Sequence, residues 1–172
     1  MSAPDHDPGA AHPRAPLLLI AIGNASRGDD ALGPALAQAL HDHPARRSGQ
    51  LEILSVYQLQ IEHALALEGR RAVLLADASH EPLHAAATLH PLHPAASANT
   101  PFTHALPPGA LLALARRVLH TPPPPVWLLA LQGSHFELGS ALSETGQHAL
   151  QHGQVLAEQW LELRLMGHFA VG

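Results

Sequence analysis

The stretch Leu17-Leu-Leu-Ile-Ala-Ile22, closed by Gly23-Asn24, decides the fold of this chain. A strand with one wet face alternates apolar and polar residues, whereas a strand covered on both faces reads as a continuous apolar run, as in parallel sheets. Leu17 to Ile22 is therefore expected to open a parallel sheet. Downstream, Leu32, Leu36, Ala39 and Leu40 recur at helical spacing with Pro34 in the first turn, which predicts a helix from Leu32 to His41. Further strands are expected at Leu51 to Val56, Ala72 to Ala76 ending at Asp77, Thr88 to Leu92 and Val126 to Leu131. Between them fall helices at Gln60 to Glu68 and Pro107 to Leu119, and a long closing helix runs from an N-cap at Ser143 to Leu163. Gly146 and Gly153 cost that helix propensity, so a close contact with the sheet or a partner is expected there. The alternation of strand and helix gives an α/β fold: one three-layer domain, a mostly parallel five-stranded twisted sheet with helices on both faces.

The chain has 172 residues, 47% of them apolar, enough for a single compact domain. That domain is expected over residues 16–166, after a disordered leader at 1–15 rich in proline, with a short tail at 167–172. The nine basic residues are all arginine against 14 acids, a net charge of −5 with no basic track, which excludes nucleic acid as a partner. No cysteine is present, so disulfides, zinc fingers, iron–sulfur clusters and thiol nucleophiles are excluded. The apolar run at Leu17 is too short to span a bilayer, and no membrane association is expected. The 15 histidines lie singly, which argues against a histidine-rich metal tract.

In open parallel sheets, ligands sit in the crevice outside the carboxyl ends of the strands. This rule selects Asn24 to Asp30 after the first strand, Tyr57 to Gln60 after the second, Asp77 after the third, the loop with His104 after the fourth, and Gln132 to Glu137 after the fifth. Asp30, Asp77 and His104 form an oxygen and nitrogen donor set that suits a divalent transition metal if the three converge. Taken singly, Asp30 reads as a cap of the following helix, Asp77 as a cap of a turn and His104 as a solvated loop histidine. Asn24 either orients a substrate or finishes a turn. His135 and Glu137 invite an acid–base reading, but Phe136 and Leu138 beside them predict a segment that packs the lip of the crevice.

The stretch Gly23-Asn24-Ala-Ser-Arg27-Gly-Asp29-Asp30-Ala-Leu-Gly33 resembles the G-N-x-x-x-x-D-[DE]-G-x-G signature of the hydrogenase maturation endopeptidases. Gln58-Leu59 with Glu62, Asp77, and Gly133-Ser-His-Phe-Glu137-Leu-Gly139 before Leu142-Ser143 agree with that family in the same order, so the resemblance spans about Leu17 to Leu163. It implies a cytoplasmic endopeptidase that removes a C-terminal extension from the large-subunit precursor of a nickel-iron hydrogenase after nickel insertion. Asp30, Asp77 and His104 would be the metal-recognising residues, with His90 and His93 close upstream of the last. Asp30 or Asp77 would activate the water, and Asn24, Gln58 and Glu62 would contact the substrate. The nickel would belong to the substrate, with no cofactor of the enzyme's own and with cadmium or zinc as stand-ins in crystals. The enzyme is expected to be a monomer. Ala31 departs from the family, which usually has glycine there; a positive φ at that position would strain alanine. The departure favours the rival expectation of a non-catalytic hydrogenase-specific chaperone or adaptor. A small metallohydrolase owning its metal is a second rival.

Overall fold

The computed structural model describes residues 14–95 and 106–167. Among these, β1 (Leu17–Ile22), β2 (Leu51–Val56), β3 (Ala72–Ser79), β4 (Ala87–Pro91) and β5 (Val126–Gln132) form one sheet in the order β2-β1-β3-β5-β4. The pairs β2–β1, β1–β3 and β3–β5 are parallel, and the edge strand β4 runs antiparallel to β5. The helices are α1 (Leu32–Ala39), α2 (Pro44–Arg47), α3 (His63–Ala66), α4 (Pro108–Val118) and α5 (Glu144–Leu165).

Every residue of β1 is buried, as its unbroken apolar run requires. The pleat sends Leu17 and Leu19, with Leu74 and Ala76 of β3, towards α1 and α5. It sends Leu18, Ile20 and Ile22, with Val73 and Leu75, towards α3 and α4. Two apolar cores therefore flank one sheet in three layers. The close approach expected of the closing helix is present: a Cβ on Gly153 would fall 2.2 Å from Leu131 Cδ2, so α5 lies directly on β5.

Three differences from the sequence reading bear on the site. β3 continues to Ser79, so Asp77 lies inside the strand's last turn of pleat rather than after it. Because β4 is antiparallel, the chain leaves it near Leu92 at the amino end of the parallel strands, not at the carboxyl end. Arg14 and Ala15, expected to close a leader, are bound to the domain: the Arg14 guanidinium donates to the carbonyls of Leu65 and Glu68, and Arg70 donates to that of Ala15. Among the described residues no helix is long and apolar enough to cross a membrane.

Candidate active site

At the carboxyl end of the sheet, two consecutive aspartates leave β1 on a 3-10 turn, Gly28–Ala31, and they have opposite surroundings. Asp29 is fully buried. Its Oδ2 accepts hydrogen bonds from Ser134 N at 2.8 Å, His135 N at 3.0 Å and the Ser143 hydroxyl at 2.6 Å, and its Oδ1 accepts from Ser143 N at 2.8 Å. Burial pushes the Asp29 carboxyl up, but the Ser143 hydroxyl and these N–H groups more than reverse it and hold the group below its ordinary value. Ser143 also caps α5, accepting from Gly146 N at 2.9 Å. A Cβ on Gly146 would fall 2.2 Å from Asp29 Oδ1, which is why the first turn of α5 carries a glycine. Asp29 thus ties the first loop to the β5–α5 loop, helped by Asp29 N donating to His135 O and Gly139 N donating to Ser26 O, both at 2.7 Å.

Asp30 turns the other way and is partly exposed. Its Oδ2 accepts from Asn24 N at 3.0 Å, and among the described residues it takes no other hydrogen bond. The Asn24 side chain accepts from Ser26 N at 2.9 Å and so forms the turn itself, while its backbone orients Asp30. On the neighbouring strand, burial pushes the Asp77 carboxyl up to about 7; the Ala78 N–H opposes this, and the charge of Asp30 adds to it. The two carboxylates therefore share one electrostatic environment at the ends of β1 and β3. A carboxyl that titrates near neutrality beside a second, ionised one can hold or release a proton, and the pair offers oxygen donors to a cation.

The remaining predicted residues fall as follows. His104 lies outside the described residues. Among the described residues no group of three or more His, Asp or Glu side chains is placed to hold a metal ion. Gln58 lines an open groove of about 410 Å³ with Val56, Tyr57, Gln60 and His63, past the end of β2. Glu62 is exposed beside it and does not line it. His63 Nδ1 accepts from Gln60 N at 2.8 Å, which leaves Nε2 as the nitrogen that carries the proton in the neutral ring.

In the β5–α5 loop, His135 Nε2 and Glu137 are 3.7 Å apart and both exposed, while the His135 backbone serves Asp29. Phe136 stacks on His80 with ring centroids 3.7 Å apart and packs the lip as expected. Leu138 does not pack there, being 75% exposed. Ala31 has φ −75° and ψ −2°, an ordinary helical conformation, so alanine at this position carries no backbone strain.

The sequence reading missed Asp29 as the organising residue and His63 as a groove residue. The Asp29-Asp30 pair followed by a helix was the available signal, since consecutive side chains there must diverge and only one can serve the interior.

No protein-family model matches the sequence, and no curated protein matches it significantly. Solved structures do. The NiFe hydrogenase maturation protease HycI from Thermococcus kodakarensis KOD1 has a TM-score of 0.60 at 22% identity, covering 84% of this chain and 91% of its own. The hydrogenase maturating endopeptidase HybD from Escherichia coli has a TM-score of 0.62 at 19% identity, covering 88% and 93%. An endopeptidase from Escherichia coli has a TM-score of 0.64 at 22% identity with the same coverage. This chain has the α/β fold of the hydrogenase maturation proteases over nearly the full length of each.

Proposed function

We propose that this chain is a hydrolase of that family, an endopeptidase that removes the C-terminal extension of a nickel-iron hydrogenase large-subunit precursor after nickel insertion. The observation that carries the reading is the coupled pair Asp30 and Asp77 at the carboxyl ends of two adjacent central strands, with Asp77 titrating near neutrality, on a fold shared with maturation endopeptidases. Peptide hydrolysis needs a base for the water and a proton for the leaving amine. Asp77, poised between its two protonation states at about pH 7, supplies either, and Asp30 stabilises its protonated form. The chemistry is of the aspartic type in that two carboxyls share the proton work.

Nickel enters as part of the substrate. Asp30 and Asp77 offer it oxygen donors and His104 completes the set, so the enzyme needs no metal of its own. The groove past β2, with Gln58 and Gln60, receives the precursor backbone, and the exposed Tyr57 and Ile61 give it apolar contact. Glu62 and Asn24 border that approach, Asn24 acting through its hold on Asp30. The partner is the precursor alone, met by a monomer in the cytoplasm.

The test is processing of a nickel-loaded large-subunit precursor by the purified chain and its variants. Asp77→Asn and Asp30→Asn are each expected to slow cleavage by about 10²–10⁴-fold, the usual worth of a positioned acid or base. No cleavage by the purified wild-type chain would assign it to the adaptor class, full processing by both variants would remove the two carboxylates from the chemistry, and stoichiometric metal in the purified protein would assign it to the metallohydrolases. The unstrained backbone at Ala31 withdraws the one sequence feature that favoured an adaptor.

A further inference from the structure

A second cavity, of about 770 Å³, opens at the opposite end of the sheet, where Ala72 begins β3 and Val126 begins β5. Asp77 lies five residue steps further along β3 than Ala72, about 17 Å along a strand. The cavity and the carboxylate pair are separate sites. Its walls are apolar, with Trp127, Leu92 and Leu112 facing a run of prolines at 123–125, and its charged groups are Arg71, Arg116 and Arg164.

Arg164 is the unusual member. It is 8% exposed and stands in the last turn of α5, with its guanidinium carbon 4.0 Å from the Trp127 ring centroid and 5.4 Å from that of Trp160. Among the described residues no carboxylate lies within salt-bridge distance of Arg164. Burial without a counter-charge lowers its hold on the proton. Arg71 donates from Nη2 to the Arg164 carbonyl at 2.7 Å, which anchors a second guanidinium at the same helix end. The ring contacts and the negative end of the α5 dipole offset part of the unfavourable burial. A buried cation that faces a cavity, with no acid beside it among the described residues, suits an anionic partner.

We propose that this cavity binds a small apolar carboxylic acid, with the carboxylate on the Arg164–Arg71 wall and the apolar body against Trp127 and the prolines. A planar guanidinium matches a carboxylate's two oxygens, and the volume lies in the range of small-molecule pockets. Apolar walls favour a singly charged head on a hydrocarbon body over a compact, heavily hydrated inorganic anion.

The experiment titrates the full chain with octanoate, octanol, octylamine and inorganic phosphate, following tryptophan fluorescence, since Trp127 lines the cavity, and heat by calorimetry. Octanoate is expected to bind one to one and at least about tenfold tighter than octanol or octylamine, with phosphate failing to displace it at equal concentration. Arg164→Gln is expected to weaken octanoate by about tenfold or more. Arg71→Gln and Arg116→Gln, at exposed positions, keep the test available if the buried variant does not fold, and at least one is expected to weaken octanoate measurably. Equal binding of the three eight-carbon probes, displacement by phosphate, no binding up to millimolar octanoate, or binding unchanged in every folded variant would overturn the proposal. None of these outcomes bears on precursor processing.

Discussion

Asp29 and Asp77 are both carboxylates at the carboxyl end of one sheet, and their surroundings drive them in opposite directions. Around Asp29 the chain supplies three N–H groups and a hydroxyl, so a fully buried charge is more stable in the folded protein than in water. Around Asp77 burial is opposed by a single backbone donor, and a like charge adds to it. The first arrangement holds loops together, and the second stores a group ready to take a proton or a cation. Satisfied and unsatisfied burial is thus the physical difference between the scaffold and the proposed chemistry.

The largest effect expected from breaking that contrast is at the scaffold. Asp29→Ala leaves the donors of Ser134, His135 and Ser143 without their acceptor, and a loss of about 3–5 kcal/mol in unfolding free energy is expected by denaturant titration. Because the folded-state value of Asp29 is depressed, its contribution is present above pH 4 and is lost as pH falls through the folded value, so the gap between wild type and variant should narrow in acid. Gly146→Ala forces a methyl against Asp29 Oδ1 and should cost about 1–3 kcal/mol, read as a lower melting temperature.

Asp77→Asn should have the opposite sign. The folded-state value of Asp77 is raised, so wild type loses stability as pH climbs from about 4 to about 7. The amide escapes that loss, so the variant should melt a few degrees higher than wild type at pH 8 and close to it at pH 4, while cleavage of the precursor collapses. A fall in melting temperature at pH 8 would place Asp77 with the scaffold. The smallest effect is at Ala31: with a helical φ already in place, Ala31→Gly should cost about 0.4–1 kcal/mol through the unfolded chain, detectable in the denaturation midpoint.

Several elements were legible before any coordinates. β1 begins and ends where its apolar run does, β2 spans the Leu51 to Val56 expected of it, and Ser143 caps α5 as its position before an apolar periodic stretch predicts. Burial on both faces writes an uninterrupted run, and capping needs a hydroxyl at one position, so both are local signals. Gly146 and Gly153 announced close contacts in α5 without saying with what. The short α2 escaped notice, since four residues carry no periodicity.

The amino-acid order by itself fixed a parallel α/β domain, with polar residues gathered where its strands end. Tertiary structure alone made Asp29 the structural anchor, tied to Ser134, His135 and Ser143. It also turned β4 antiparallel and buried Arg164 against Trp127. Each of those outcomes depends on groups about 30 to more than 100 positions apart in the chain, and hydrogen-bond satisfaction and desolvation are properties of the assembled neighbourhood rather than of any stretch of sequence.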